Sequence, residues 1–443
     1  MRPVRPAVSP RRNTALFVAI SLLSGFGGTV MSLATGIWVL DLTGSSSLAA
    51  LTGFCFFVPT LLGPVLGVLV DRFPRRPLIV WTHLLTAGAV LSLLTVHTED
   101  QTWLIYAVML GYGVSFVLID AGEAALLPAA LPPEVLGGVN GLRMSAQEGV
   151  KLIAPLVGAG LFGWWGGHSV ALLTVGTLTA AAGLYLLIRL RPSVPAAAAP
   201  GAGVADQPST APTEPGPPER SAGRFLVGIR FLWARPELRI TVLLGSITIA
   251  MSGLTTAALY SVVVEDLHRP ATFLGVLSSA QGAGSILGGL IVGRLLRVRG
   301  TRAVGILGAV LVALGATGWG VPWWPVVVGS SFVIGIGLPW TLVAAMTAVQ
   351  SRTPEALLGR VAGTASTLLF APIAIATPLG AALVLLDRRL PLAIAATLCL
   401  GAALSAIRSA RSIRATGSAD AVAAGPTGTV ETSRPADEAR VGS

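Results

Sequence analysis

Apolar runs recur along this chain at a length that suits one kind of solvent. They fall at roughly 14–40, 47–70, 77–97, 102–125, 139–164, 167–190, 238–264, 271–293, 302–320, 323–349, 359–385 and 390–408. A helix needs about 20 apolar residues to cross the hydrocarbon core of a bilayer. Lipid offers the backbone no hydrogen-bond partners, so only helices and closed barrels span it. Barrel strands would show alternating segments of about ten residues, and these runs are continuous and too long. The sequence therefore predicts an all-α polytopic membrane protein with twelve transmembrane helices. Composition decides against the alternative: 11% of the 443 residues are charged, against about 25% in soluble domains, too few to cover a soluble surface. The first run follows a basic tail, as in a signal peptide. It continues past Gly28 to Leu40 and reads as an uncleaved first span.

The same residues exclude several function classes. The net charge is +10, but the basic residues recur between apolar runs instead of forming one patch, which argues against a nucleic-acid partner. Lys151 is the single lysine, flanked by Val150 and Leu152, so no phosphate-binding Gly-Lys-Ser/Thr loop exists. Cys55 and Cys399 sit inside apolar runs and the four histidines are scattered. No metal site, no cofactor and no enzymatic nucleophile–base pair is expected. Energy for any movement of solute has to come from a gradient or a partner.

Residues 192–221 hold eight prolines and few large apolar side chains, the composition of a disordered linker. It divides the spans six and six. The expected organisation is an N-tail over 1–13, a first bundle over 14–191 and a linker over 192–237. A second bundle follows over 238–410, and then a disordered tail over 411–443. Within the linker segment Phe225, Ile229 and Leu232 share one face, as in a short interfacial helix. With the N-terminus inside, the inner segments carry twenty-six arginines and the outer loops three, Arg269, Arg388 and Arg389. The positive-inside rule then places both termini in the cytoplasm of a cell with the protein in its inner membrane. Trp38, Trp103, Trp164, Trp165, Trp319, Trp323 and Trp324 fall near the outer ends, as an aromatic belt requires.

The halves are internally repeated. Gly67-Val-Leu-Val-Asp71-Arg72-Phe-Pro-Arg75-Arg76 ends span two, and Gly289-Leu-Ile-Val-Gly293-Arg294-Leu-Leu-Arg297 ends span eight, 222 residues later. Pro133-Glu134-x-Leu136-x-Gly138 before span five returns as Pro354-Glu355-x-Leu357-x-Gly359 before span eleven, at an offset of 221. Two matches at nearly one offset indicate a duplicated six-helix unit.

The pattern G-x-x-x-D-R-x-x-R-R between spans two and three resembles the signature of the major facilitator superfamily, with Pro74 where that signature has glycine. Trp38-Val-Leu-Asp41-Leu-Thr-Gly44-Ser45 and the run from Pro128 through Pro133-Glu134 to Asn140-Gly-Leu resemble its macrolide-type and siderophore exporter subgroup. The likeness covers about residues 14–410. It implies two pseudo-symmetric six-helix bundles and a latch in which Asp71 meets the N-terminus of span eleven near Gly359. Asp71 opposes its own helix dipole, so Arg75 is the alternative partner. The second copy has Gly293 in place of the acid and predicts a weaker latch. Gly63, Gly67 and Asp71, and again Ser285, Gly289 and Gly293, form faces on which helices can approach closely.

Ionisable residues inside a span are expensive and mark functional positions. Asp120 and Glu123 in span four, and Glu148 and Lys151 in span five, are the proton-coupling candidates. Each pair is spaced to share a helix face. Glu148 can be neutralised by Lys151, and Asp120 or Glu123 by Arg143. Thr248, Ser252, Thr256 and Tyr260 make a polar stripe on span seven that either lines an aqueous cavity or bonds between helices. Ser21, Gly25, Gly28, Ser32 and Gly36 read as a packing seam on span one. Trp340, in the middle of span ten, is a candidate to stack on a ligand. The expected activity is export of a small apolar or amphipathic molecule by a monomeric, proton-driven antiporter using alternating access. An importer of the same fold and a non-transporting receptor or scaffold are the alternatives.

Overall fold

The computed structural model describes residues 10–190 and 221–423, and among them no strand occurs. Thirteen α-helices are formed. They are α1 Pro10–Thr43, α2 Ser46–Phe57, α3 Gly63–Arg72, α4 Arg75–Leu91, α5 Thr102–Ala130, α6 Pro133–Leu187 and α7 Ser221–Trp233. The remainder are α8 Pro236–Leu254, α9 Thr256–Ser261, α10 Leu274–Trp319, α11 Trp324–Arg352, α12 Glu355–Val384 and α13 Leu390–Ala423. Nine helical stretches among the described residues are long and apolar enough to cross a membrane, which makes this an integral membrane protein.

The twelve apolar runs map onto these helices with three differences. Runs five and six form one element, α6, and runs eight and nine form α10, each interrupted by a glycine outside helical backbone space. Gly166 sits at φ 73 and Gly300 at φ 78. A side chain would be strained there, so these glycines turn the chain back without an intervening loop. Run two is broken the other way. Pro59 opens a 3₁₀ segment, Val58–Leu62, between α2 and α3, because proline withholds the amide that an α-helix needs. Run seven divides into α8, α9 and a π-helical turn over Val262–Asp266.

The expected tail boundary at 410 differs from the structure, in which α13 continues to Ala423. Phe225, Ile229 and Leu232 fall in a helix, α7, and it packs on α12. Leu232 is fully buried, and a Cβ on Gly228 would run into Thr364. The N-tail as far as residue 9, the Pro-rich stretch over 191–220 and the residues after 423 lie outside the described set.

The apolar core has an uneven plan. At the end bearing the tryptophans, one continuous cluster joins both halves, with Trp38, Phe162, Tyr260, Leu274, Trp319 and Leu392 among its members. At the arginine-bearing end the core is split. Phe17, Ile79, Leu126 and Tyr185 pack within the first half. Leu238, Val242, Val349 and Val361 pack within the second. Lipid gives helices no hydrophobic reason to associate, so close packing and polar contacts hold them. Asn13 illustrates the polar kind: its side-chain amide donates to Ala130 O at 3.0 Å and to Arg189 O at 2.9 Å, closing the arginine end of the first half.

Candidate functional site

The seam on α1 marks where the halves meet. A Cβ on Gly36 would overlap the Tyr260 hydroxyl, so Tyr260 of α9 is buried against α1 and does not stand free in a cavity. Ser47 on α2 donates to Ala381 O of α12 at 2.6 Å, and Ala50, Ala257 and Ala381 pack beside it. On the opposite flank a Cβ on Gly275 of α10 would approach Pro155 O of α6 to 2.8 Å, and one on Gly282 would approach Lys151 O to 2.5 Å. The close approach stops there: a Cβ on Gly289 or Gly293 would meet no neighbouring helix within 4 Å.

Between the tips of α5 and α6, at the arginine end, lies a cavity of about 270 Å³. Asp120, Glu123, Asn140 and Arg143 supply its polar wall; Ala124, Leu127, Pro128 and Leu136 the remainder. The expected pairing of Arg143 is present and selects Glu123. Glu123 also accepts from the Tyr185 hydroxyl, and Arg143 Nε donates to Ser21 Oγ at 2.8 Å. A buried carboxylate needs this much compensation, since desolvation otherwise exceeds the Coulomb gain. Asp120 lines the same cavity, is exposed, and makes no hydrogen bond or ion pair among the described residues. The two acids are therefore not equivalent: Glu123 is committed to a structural network, and Asp120 is not.

Glu148 and Lys151 form their expected pair, with Lys151 Nζ 2.5 Å from Glu148 Oε1. The second carboxylate oxygen accepts from Ser285 Oγ of α10 at 2.8 Å, a contact between the halves.

The polar stripe on run seven is satisfied locally. The Thr248 hydroxyl is fully buried and donates to Leu244 O at 2.7 Å, Ser252 donates to Ile249 O at 2.7 Å, and Thr256 donates to Ser252 O at 3.1 Å. Trp340 is half-buried and donates from Nε1 to Gly288 O at 2.9 Å, tying α11 to α10. In the loop motif, Gly67 and Asp71 sit in α3, and their surroundings lie outside the described residues. Arg72 and Arg75 are exposed, whereas Arg76 is half-buried and donates from Nε to Tyr185 O at 3.0 Å. In the second copy Arg294 and Arg297 are both exposed.

Two contributors to the site carry no sequence signal of their own, and a third carries only part of one. Tyr185 reaches Glu123 across 62 positions of chain. His83 is fully buried with neither ring nitrogen hydrogen-bonded, its ring 5.5 Å from that of Tyr185. Ser285 is legible in the sequence as part of a small-residue face, but not as a hydroxyl aimed at Glu148.

Comparison with known proteins agrees with this architecture. The family model for the Major Facilitator Superfamily matches residues 15–260 and again 241–431. Macrolide efflux protein A of Streptococcus pyogenes is 26% identical over 150 residues, 33% of this chain and 36% of that protein. The chain thus spans about a third of that relative's length. Enterobactin exporter EntS of Escherichia coli is 28% identical over 324 residues, 71% of this chain and 70% of that one. Among solved structures, a bacterial homologue of the iron transporter ferroportin in an inward-facing state superposes with a TM-score of 0.62 at 15% identity, covering 90% of this chain and 99% of that one. The chain belongs to the Major Facilitator Superfamily.

Proposed function

We propose that this superfamily member is a secondary transporter that exports a small apolar or amphipathic molecule by alternating access, driven by proton antiport. The observation that carries the reading is the uneven core: joined across the halves at the tryptophan end, divided at the arginine end. Two bundles that rock about a central site need one end sealed and the other parted at any moment. The relatives named as exporters support the outward direction, and their names give the first probes. In this reading the arginine end faces the cytoplasm, the bundles are 14–191 and 238–410, and the unit is a monomer. The Asp71 latch closes the arginine end in the opposite state.

The test is purified protein in vesicles under an imposed pH gradient, with a macrolide and a catecholate siderophore as probes. Gradient-dependent movement of either supports the reading; no movement of a wider panel of amphipathic compounds, with folded protein, favours a receptor or scaffold. In the same assay Asp71→Asn is expected to slow transport about tenfold at unchanged membrane insertion, because it removes a state-dependent contact and no core packing. Arg294→Ala should cost less, since its copy lacks the acid. Wild-type rates for Asp71→Asn would reduce the motif to a solvated loop.

Topology gives an independent check. Reporter tags after Arg12, within 195–215 and after Arg414 are all expected to read cytoplasmic, given the arginine distribution. A periplasmic signal from the 195–215 tag removes the six-plus-six organisation.

A further inference from the structure

The interface between α6 and α10 behaves as a fork with a defined branch point. From Gly275 to Gly282 the backbones lie so close that a Cβ on either glycine would meet main-chain atoms of α6. One turn further, Ser285 reaches Glu148 at 2.8 Å. One turn beyond that, at Gly289, a Cβ would meet nothing within 4 Å, and the same is true at Gly293. On the α6 side the next turn brings Met144, 66% exposed. The Glu148–Ser285 hydrogen bond is thus the last contact before the helices part.

The repeat shows that this bond has no twin. The offset of 222 sets Ser285 against Gly63, which faces open space. The offset of 221 sets Glu148 against Leu369, which is fully buried in the second half. The flank that lost the loop acid, with Gly293 where Asp71 stands in the first copy, is the flank that carries a charged contact two turns deeper. A carboxylate at that depth is costly without a countercharge, and Lys151 supplies one from its own helix while leaving an oxygen for the other half.

We propose that Glu148, Lys151 and Ser285 form an inter-half clasp that holds the tryptophan end shut, a restraint on the state opposite to the one the loop acid favours. These are positioning residues for the conformational cycle and not the proton carriers. The inference rests on the alternating-access reading, and its readout needs neither substrate nor gradient.

The experiment measures solvent access at the sealed end. In a chain with Cys55 and Cys399 replaced by alanine, a cysteine is placed at Ser47→Cys, a buried position of the tryptophan-end seal. Its alkylation by a membrane-impermeant maleimide is timed in intact vesicles. Ser285→Ala is expected to accelerate labelling about tenfold, as loss of a hydrogen bond to a charged group should. Ser285→Thr, which keeps the hydroxyl, should label at the parental rate. Once Glu148→Leu and Lys151→Met are made together, Ser285→Ala should add nothing further. Equal labelling in Ser285→Ala and the parent, with unchanged elution and tryptophan fluorescence, overturns the clasp. Unchanged labelling together with intact export would overturn the clasp alone; changed labelling without transport of any probe would leave the clasp standing and remove export.

Discussion

Exchanging Arg143 for methionine is expected to lower the thermal unfolding midpoint sharply. The substitution keeps the side chain's length and apolar stem but strips the cation from Glu123, whose side chain is 12% exposed. Breaking one side of a buried ion pair costs about 3–5 kcal/mol, a large share of the roughly 5–15 kcal/mol that holds a domain together. The Tyr185 hydroxyl remains as a donor to Glu123, but a neutral donor does not balance a full charge in low dielectric. The measurement is the thermal unfolding midpoint of detergent-purified protein. A companion variant separates charge from packing: Glu123→Leu combined with Arg143→Met removes both charges and should recover much of the midpoint, because two apolar side chains of similar volume carry no desolvation cost. If Arg143→Met unfolds at the parental temperature, the pair is solvated in the membrane protein as it exists and the buried network contributes little.

That network also marks how far the sequence could be read. The number and position of the apolar runs were legible because a bilayer imposes one length on every span, and length survives without knowledge of neighbours. The joins were less so. Gly166 and Gly300 could have been ordinary small residues, and only their positive φ turns one helix into two. The Arg143 pairing was foreseen in kind, since spans four and five are joined by a short turn and both groups lie near it. Its choice of Glu123 over Asp120 depends on packing, and so does Tyr185, whose hydroxyl arrives from the far end of α6. The run-seven stripe shows the opposite failing. Hydroxyls at four-residue spacing suggest water, but Ser and Thr in a helix can donate to the carbonyl of the preceding turn, and Thr248, Ser252 and Thr256 all do so. A polar stripe in a span is thus evidence of tolerance for lipid as much as of a cavity. Ser21 and Ser285 carried the reverse ambiguity: each was legible as a small residue that lets helices approach, and each also uses its hydroxyl, toward Arg143 and Glu148.

Asp120→Asn is expected to bring pH-gradient-driven transport to background while sparing downhill exchange of substrate. A proton-coupled antiporter needs a group that takes up and releases a proton and is exposed to each side in turn. Glu148 already has Lys151 and Ser285 as partners, and Glu123 has Arg143 and Tyr185; protonating either would dismantle contacts that hold helices together. Asp120 lines the cavity at the arginine end without such a commitment. It shares a face with Glu123 but ties no helices together, so a proton can come and go there without breaking a packing contact. Asparagine preserves shape and hydrogen bonding but cannot carry the proton, so net coupled movement stops. Exchange, in which one substrate molecule leaves as another enters, needs no net proton transfer and should continue. Glu123→Gln serves as the contrast, since its main effect should be on the unfolding midpoint. Full gradient-driven transport by both Asp120→Asn and Glu123→Gln would mean that the coupling group lies elsewhere or that the driving ion is not a proton.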